Sequence, residues 1–483
     1  MNYIDRNGIT TARLKGLEQD LGLSDLQYSV TLSILFASYC PAQIPSNMIL
    51  NRIKRPSLYI GGCVVAWGLT SALTGVTKNY AGILACRFFI GLPEAAFYPG
   101  AIYLLSRWYT KKELALRSAI LYTGLLLSNA FGALIAAGIL AHMEGKRGIR
   151  AWRWLFFIEG SITITIGFLS MFVFQMFNHI ILTARYSGGP PRLCMINSPP
   201  CTYFTPHAYN AARNTRWIVG DERRLAQARL AEDAGEADQD NAVDTPIAGL
   251  KMAITDPLVL TFALMCTSQL LGLSFINFFP TLTQTLGFST TISLLLAAPP
   301  WVIAGVICCL NAWHADKTGE RFFHIASWWW GVILGFIISL CTMSVGGRYV
   351  SMFLMSFGYV GFAMTLVWVS NAVPRPPAKR AAAIGIVNGC GNLGNLMGSY
   401  TWKAEWGPQY HQSMIVSLCA LVFASLLSLG IRQHLLRKNK QLDEDERTAL
   451  EGANESRVKE AAILEGISFE QAMERRKGFR YLY

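Results

Sequence analysis

The stretch Cys86-Arg87-Phe-Phe-Ile-Gly91-Leu-Pro-Glu94-Ala-Ala-Phe-Tyr-Pro99-Gly100 places an arginine and a glutamate inside an apolar run. Two helical turns put Arg87 and Glu94 on one face, and Gly91 between them leaves that face open. Ionisable side chains at membrane depth are costly and usually face a bundle interior or a water-filled cavity. Arginine keeps its proton, whereas a carboxylate in a low dielectric can gain one. The pair suits an anion-attracting charge beside a proton-switchable group, or else an ion pair that only ties two helices together.

Composition indicates that this stretch lies in a membrane. Of 483 residues, 52% are hydrophobic and only 15% are charged, whereas about a quarter of the residues of a soluble domain are charged. Apolar runs of spanning length recur along the chain. We predict eleven full spans: Gln27–Leu50, Tyr59–Val76, Ala81–Ser106, Ser118–Ala141, Trp154–Gln175, Leu258–Phe279, Ile292–Leu310, Ser327–Ser344, Tyr349–Asn371, Ala381–Tyr400 and Met414–Ile431. The sequence therefore predicts an all-α, polytopic membrane protein.

The first residues, Met1-Asn-Tyr-Ile-Asp5-Arg6-Asn-Gly-Ile9, carry a second charged pair but are too short to span a bilayer. We interpret them as the second half of a helix whose first half is absent. The expected bilayer topology thus begins with a truncated helix, followed by the eleven full spans.

The net charge of +12 is concentrated in alternate loops. These loops contain Arg52, Lys54 and Arg55; Arg107, Lys111, Lys112 and Arg117; Lys317 and Arg321; and Arg375, Lys379 and Arg380. By the positive-inside rule they are cytoplasmic. The connector 142–153 departs from this pattern, with four basic residues on the predicted outer side. We therefore interpret the charge as a topology signal for the lipid bilayer and expect no nucleic-acid partner.

Motifs for metals, cofactors and nucleotide hydrolysis are missing from the sequence. Nine of the eleven cysteines lie inside predicted spans, and no CxxC or Cys/His spacing typical of a metal site occurs. No Walker-type phosphate loop occurs, so nothing indicates an ATP-driven pump. We expect neither a metal nor a cofactor.

A long polar stretch divides the spans into two halves. We predict an N-terminal bundle at 1–175, a cytoplasmic central loop at 176–256, a C-terminal bundle at 257–431 and a cytoplasmic tail at 432–483. The halves echo each other, because Asn51-Arg-Ile-Lys-Arg-Pro56 and Asp316-Lys-Thr-Gly-Glu-Arg321 each follow a second helix. Small residues at four-residue spacing, such as Gly124 and Gly132, predict close helix contacts. Paired bundles are typical of alternating-access carriers, whose site lies between the halves.

The chain resembles the major facilitator superfamily and, within it, the fungal allantoate permease branch of the anion:cation symporter group. The residues that carry the resemblance are Asn2 to Arg6, Gly16 to Leu23, Pro45 to Asn47, Arg87 to Glu94 with Pro99-Gly100, Trp108-Tyr109, Glu113 to Arg117, Trp152 to Gly160, Phe278 to Thr281, Pro299-Pro300, Asp316 to Arg321, Trp368 to Asn371, and Asn388 to Gly398. The resemblance covers almost the whole chain. It implies a fold of two pseudo-repeated six-helix bundles.

The resemblance also implies a function and roles for individual residues. Members of this group are secondary carriers of small organic anions such as allantoate, pantothenate, nicotinate and sugar acids, usually with protons. Carried over, Asp5 and Glu94 are proton-coupling sites, Arg6 is the anion anchor, and Arg87 biases Glu94 and contributes to substrate binding. The expected gating loops contain Arg52, Lys54, Arg55, Asp316, Gly319 and Arg321.

Two segments depart from the family pattern. The family has a complete first helix before Asp-Arg, and it joins helix six to Thr-Arg-Trp-Ile through a short link that Gln175–Asn214 replaces here. Our hypothesis is a start codon called late and a translated intron, which would allow an inactive product of a faulty gene model. The alternative is a genuine lineage-specific insert.

The leading hypothesis from sequence is a proton-coupled carrier of an organic anion, monomeric and located in the plasma membrane. Further polar and aromatic side chains at membrane depth are candidate substrate contacts: Tyr39, Gln269, Asn277, Trp368, Asn371, Asn388 and Asn392. Each of these alone is more often an interhelical hydrogen-bond partner. A non-transporting membrane sensor is the alternative that the charged tail allows. A membrane enzyme is disfavoured, because no nucleophile–base pair or metal cluster is evident.

Overall fold

A computed structural model describes residues 2–51, 53, 56–106, 114–185, 245–373, 376–452 and 481–483. Within these ranges the chain is helical and contains no β-strand. The helices of the first half are α1 Asn2–Arg13, α2 Leu17–Leu21, α3 Asp25–Leu50, α4 Pro56–Thr74, α5 Tyr80–Glu94, α6 Tyr98–Ser106, α7 Leu114–His142 and α8 Ala151–Arg185. The charged pair Asp5-Arg6 thus lies in α1, and the charged pair Arg87 and Glu94 lies in α5.

The second half repeats the long helices. They are α9 Pro246–Ile254, α10 Pro257–Gly272, α11 Phe279–Gln284, α12 Thr290–Thr318, α13 Phe322–Cys341, α14 Val345–Ala372, α15 Pro377–Thr401 and α16 His411–Gly452. A short 3₁₀ segment, Ser274–Phe278, joins α10 to α11 and breaks the regular helix. The first and second halves meet where α7 packs on α12 and where α3 packs on α15.

Eight apolar stretches in the described residues are long enough to cross a membrane, and Leu58–Thr74 is a shorter one. The predicted spans Gln27–Leu50 and Ala381–Tyr400 fold as α3 and α15 but are not among these eight. Polar side chains explain the difference. Asn388 donates a hydrogen bond to Gln43 Oε1 at 2.7 Å, and Asn47 Nδ2 donates to the Ala381 carbonyl at 3.1 Å. Because these groups bond to each other, α3 and α15 need fewer apolar residues than a lipid-facing helix.

Some of the glycines predicted to allow close helix contacts lie at such contacts, and others do not. A Cβ on Gly389 would lie 2.8 Å from the Cys40 carbonyl, so α15 and α3 touch backbone to backbone there. A Cβ on Gly132 would lie 3.3 Å from Ile4, a tight contact between α7 and α1. A Cβ on Gly124 would meet nothing within 4 Å. The expectation of a close contact at Gly124 is therefore wrong, since four-residue spacing does not say which residues face a neighbouring helix.

The predicted gating motif of the second half contacts the first half. Asp316, near the end of α12, accepts hydrogen bonds from the backbone N–H groups of Ala115 and Leu116 at 3.2 and 2.8 Å. Arg321 donates to the same carboxylate at 2.8 Å, and Gly319 ends α12 with a φ of 72°, in the left-handed region. The gating residues of the first half, Arg52, Lys54 and Arg55, lie outside the described residues, and so does the 186–214 part of the atypical segment 175–214.

The last three residues of the chain dock at this same end of the second half. The Tyr483 carbonyl accepts a hydrogen bond from Arg321 N at 2.8 Å, and the Leu482 carbonyl accepts one from the Trp368 indole at 3.2 Å. The Asn439 side chain bonds both the N–H and the carbonyl of Tyr481 at 2.9 Å. The tripeptide therefore bridges the gating motif, α14 and α16.

Candidate functional site

A buried ion pair joins α1 to α5. Arg6 donates from Nε and Nη2 to Glu94 Oε1 at 3.0 and 2.6 Å, and the two side chains are only 7% and 1% exposed. Glu94 Oε2 is buried without a described hydrogen-bond partner. The carboxylate is thus held by one cation and keeps a lone-pair oxygen that can take a proton.

Aromatic rings surround the charged group of Arg6. The guanidinium carbon lies 4.6 Å from the centre of the Tyr39 ring, 5.1 Å from Tyr3 and 5.4 Å from Phe36. Ring faces at such distances attract a cation, more strongly where water is excluded. The predicted substrate residue Tyr39 therefore lies against the predicted anion anchor, and the rings help to keep a positive charge at this depth.

Arg87 does not pair with Glu94 in this structure. Its Nη1 donates to the backbone carbonyl of Arg6 at 3.0 Å, while its Nε and Nη2 are buried without a described partner. The side chain is 1% exposed. The ion pair that sequence spacing suggested between these two residues is replaced by the Arg6–Glu94 pair, because α1, packed on α7 and α8, brings the Arg6 side chain within reach of Glu94. Arg87 contributes a second buried positive charge and two donors without acceptors.

Asp5 lies away from its neighbour Arg6. Its Oδ1 accepts a hydrogen bond from Ser71 at 2.9 Å and its Oδ2 accepts one from Thr163 at 2.7 Å. The carboxyl group is 1% exposed and sits between α4 and α8. Two hydroxyl donors can stabilise the ionised carboxylate, and they can rotate to accept a hydrogen bond from the protonated acid. This arrangement suits a proton site without direct contact to an anion.

A cavity of about 440 Å³, counting the space at its mouth, lies between the halves next to Tyr3. Its lining comprises Tyr3, Ile4, Asn7, Gly8, Thr10 and Thr11 of α1; Ser128, Asn129, Gly132 and Ala133 of α7; Glu159 of α8; and Ile276, Phe279, Pro280, Ala297 and Trp301 of the second half. None of the site residues predicted from sequence is part of this lining. Tyr3 links the two regions, since its ring faces both Arg6 and the cavity.

The candidate residues of the second half form separate contacts. Gln269 accepts a hydrogen bond from Thr365 at 3.1 Å, and Asn392 donates to the Asn388 carbonyl at 2.8 Å. The amide nitrogens of Gln269, Asn277 and Asn371 are buried without a described partner. The structure places Trp368 against the terminal tripeptide and the Phe262 ring, 5.2 Å between ring centres.

Tyr3, Asn7, Asn129 and Glu159 are among the lining residues that the sequence did not predict. Glu159 appeared only as part of a family motif, although it is a carboxylate inside the predicted span Trp154–Gln175. That signal, a lone acid in an apolar run, was sufficient to select it. The asparagines carried no such signal, because single amides are common in interhelical contacts.

Together, the fold and these contacts define a class of protein. Two helical halves meet around buried ionisable groups, and a mostly apolar cavity with a few polar groups in its lining lies between the halves. That arrangement is typical of a membrane carrier whose two bundles move about a central site.

Comparison with known proteins identifies the family. The model of the Major Facilitator Superfamily matches residues 1–399. The chain is 30% identical to the MFS-type transporter cnsO of Penicillium expansum, over 91% of this chain and 80% of that protein. It is 27% identical to a protein of Agrobacterium vitis named "Putative tartrate transporter", over 82% of this chain and 79% of the relative. The chain therefore belongs to the Major Facilitator Superfamily and is a multi-pass membrane protein of a transporter family, not an enzyme.

Solved structures agree with this fold. The proton:xylose symporter XylE bound to 6-bromo-6-deoxy-D-glucose is similar with a TM-score of 0.58 and 16% identity, covering 89% of this chain and 94% of that one. A bacterial homologue of the human lysosomal transporter Spinster, inward-facing and unoccupied, has a TM-score of 0.58 and 17% identity, with 90% and 95% covered. The expected all-α fold of this superfamily is confirmed.

Proposed function

We propose that the protein carries a small organic anion across a membrane together with a proton, by alternating access. The observation that carries this proposal is the buried Arg6–Glu94 pair beside a cavity between the halves. Truncating one partner of a buried ion pair costs about 3–5 kcal/mol, because the other charge loses its compensation. Arg6 therefore needs an anionic partner at every stage of transport.

Exchange of that partner couples the two solutes. When Glu94 takes a proton, it becomes neutral and its hold on Arg6 weakens. A substrate carboxylate can then replace it on the guanidinium, to which two parallel hydrogen bonds are available. Release of the proton restores the internal pair and expels the anion. Arg87, with two unpartnered donors nearby, supplies additional positive potential for the anion.

The buried charge count supports a bound proton. In the described part of the first half the buried ionisable groups near the site are the cations Arg6 and Arg87 and the carboxyls Asp5, Glu94 and Glu159. Fully ionised, this set carries one excess negative charge. Because an uncompensated charge in a dry bundle is costly, one proton on a carboxyl is favoured.

Finer assignments extend this proposal. The substrate is a vitamin- or ureide-type carboxylate, as the allantoate permease branch implies, and the tartrate in one relative's name is also an organic anion. We place the carrier, as a monomer, in the plasma membrane. We further propose that the bundles are 1–175 and 257–431, with 176–256 and 432–483 in the cytoplasm.

Uptake into proteoliposomes tests the proposal. A panel of radiolabelled nicotinate, pantothenate, allantoate and tartrate is offered with and without an imposed inward proton gradient. We expect at least one anion to accumulate only with the gradient, and Arg6→Ala to abolish that accumulation. If uptake of every transported anion is the same with and without the proton gradient, proton coupling is contradicted. Absence of uptake and of exchange for the whole panel would contradict the assignment to this anion class.

A further inference from the structure

We propose that Glu159, with Asn7 and Asn129, forms a second subsite that binds the hydrogen-bonding, hydroxyl-bearing part of the transported molecule. The inference concerns the cavity rather than the ion pair, and it rests on the proposed function only for the statement that this molecule is also an anion.

Glu159 is a buried carboxyl with an unused oxygen. Its side chain is 1% exposed, and its Oε2 has no hydrogen-bond partner among the described residues. A buried polar atom without a partner is unfavourable, so such groups in folded proteins usually bind a ligand, an ion or water. Since Glu159 lines the cavity, a ligand there reaches it.

An asparagine pair supplies the complementary donor. Asn7 Nδ2 donates to Asn129 Oδ1 at 2.9 Å, which fixes the orientation of the Asn129 amide. The Asn129 Nδ2 group is then left buried and unpartnered. The same cavity thus presents an oxygen that accepts and an N–H group that donates. A hydroxyl group, which donates one hydrogen bond and accepts others, satisfies both.

The backbone of α1 makes room for the Glu159 carboxylate. A Cβ on Gly8 would lie 2.7 Å from Glu159 Oε2, closer than atoms normally approach. Glycine at this position therefore lets α1 pass the carboxylate without displacing it. Because Gly8, Asn7 and Tyr3 belong to one helix, the subsite and the Arg6 anchor are held in a fixed relation.

The opposite wall of the cavity comes from the second half of the protein. Phe279 and Trp301, whose ring centres are 5.1 Å apart, line it together with Ile276 and Pro280. Apolar ring surfaces facing a few polar groups are typical of sites for hydroxylated compounds, which have both C–H and O–H surfaces. Among the described residues no arginine or lysine lines this cavity, so its described walls do not favour a second anionic group.

The test compares gluconate with hexanoate, which share a carbon chain and a carboxylate but differ in their hydroxyl groups, and adds sorbitol as a neutral polyol. Binding is measured by thermal stabilisation of the purified protein. We expect the wild type to prefer gluconate, and Glu159→Gln and Gly8→Ala to reduce that preference by about tenfold or more, the value of a hydrogen bond to a charged group. Asn129→Leu should act in the same direction.

Controls separate binding from folding. Ser161→Ala alters the exposed face of the same helix and should keep the wild-type preference. If Glu159→Gln does not give monodisperse protein, Gly8→Ala and Asn129→Leu carry the test. An unchanged preference in these variants, or equal binding of gluconate and hexanoate by the wild type, overturns the subsite. If sorbitol stabilises the wild type but not Glu159→Gln while neither anion binds, the subsite stands and the anion carrier does not. If both anions bind equally and Arg6→Ala abolishes binding, the carrier stands and the subsite does not.

Discussion

The guanidinium of Arg6 and the carboxylate of Glu94 are joined at 2.6 Å, whereas Arg87, on the same helix as Glu94, donates to the backbone carbonyl of Arg6. Helix α1 thus provides the cation, Arg6, for the acid Glu94 of α5. Arg87 of α5 in turn supports α1 through the backbone carbonyl of Arg6. The carboxylate has a single ionic partner in the described part of the chain, so its protonation directly releases that partner. This geometry determines what each charged residue should do when it is changed.

Replacing Glu94 with glutamine should separate proton movement from substrate movement. Glutamine keeps the shape and can bond to Arg6, but it cannot titrate. We expect loss of gradient-driven accumulation with preserved counterflow exchange, measured as uptake against external pH in proteoliposomes. Glu18→Gln is the control, since Glu18 also pairs with an arginine but is 17% exposed. An unaltered pH profile would remove Glu94 from the coupling role and leave it a structural ion-pair partner.

Replacing Arg6 with alanine should strongly weaken anion binding, because the desolvated carboxylate of the substrate loses its partner. Removal of such a charge-assisted contact costs roughly tenfold to a hundredfold in affinity. Arg6→Lys should recover part of the affinity, since it restores the charge but not the two parallel hydrogen bonds. Equilibrium binding of labelled substrate measures both. Equal affinity in Arg6→Ala and the wild type would contradict the anchoring role.

Adding a methyl group at Gly91 should destabilise the first half. A Cβ there would lie 2.5 Å from the Leu35 carbonyl, so α5 and α3 would be forced apart. Overpacking of this kind typically costs about 1–3 kcal/mol. We expect a lower melting temperature for Gly91→Ala in detergent. Gly124→Ala is the matched control, because its Cβ would meet no atom within 4 Å. A similar melting temperature for both variants would argue against the close contact of α3 and α5.

Removing residues 481–483 should loosen the gating motif. The tripeptide accepts hydrogen bonds from Arg321 N and the Trp368 indole, and Arg321 in turn holds Asp316, which binds the start of α7. We expect faster hydrogen exchange at Gly319–Phe322 and in the first turn of α7. Asn439→Ala, which loses the two contacts to Tyr481, should give a smaller change in the same direction. Unchanged exchange in the truncated protein would show that the motif holds without the tripeptide.

The ion pair between Asp256 and Lys379 should make stability depend on pH in acid. Burial alone would raise the pKa of the Asp256 carboxyl, but hydrogen bonds from Lys379 and from Leu258 N outweigh it, so the pKa lies below its usual value. For a lowered carboxyl pKa, the stabilisation is complete above the unfolded pKa of about 4 and is lost as the pH falls through the folded value.

Melting temperatures measured between pH 6 and pH 2.5 test the contribution of the Asp256 charge to stability. This range includes the pKa of a free aspartate, about 4. The gap between the wild type and Asp256→Asn should be widest above that pKa and narrow towards the acid end. A gap that stays constant throughout this range would mean that the Asp256 charge does not stabilise the fold.

Local patterns in the sequence determined much of this protein. Apolar runs identify most spans because crossing a bilayer requires a length and a hydropathy that each segment carries by itself. Charged residues inside an apolar run select Arg87 and Glu94, and the short segment ahead of the first full span adds Asp5 and Arg6, since burial of a charge is costly wherever the helix lies. The more polar helices α3 and α15 are also predicted as spans from their length and hydropathy. The described structure shows that hydrogen bonds between these two helices stabilise them in addition to their apolar residues.

Only the tertiary structure decided which groups meet. Arg6 instead of Arg87 pairs with Glu94 because α1 packs on α7 and α8 and there reaches α5 with its arginine, a relation between helices distant in sequence. Glu159 and Asn129 line one cavity only when α7 and α8 both face α1. The docking of Tyr481 to Tyr483 depends on Arg321, Trp368 and Asn439, which come from three separate parts of the second half. Hydropathy is a property of each segment by itself and can be read from its sequence. Hydrogen bonds and ion pairs form only when groups of different segments come within about 3 Å of each other, which requires that the helices have packed.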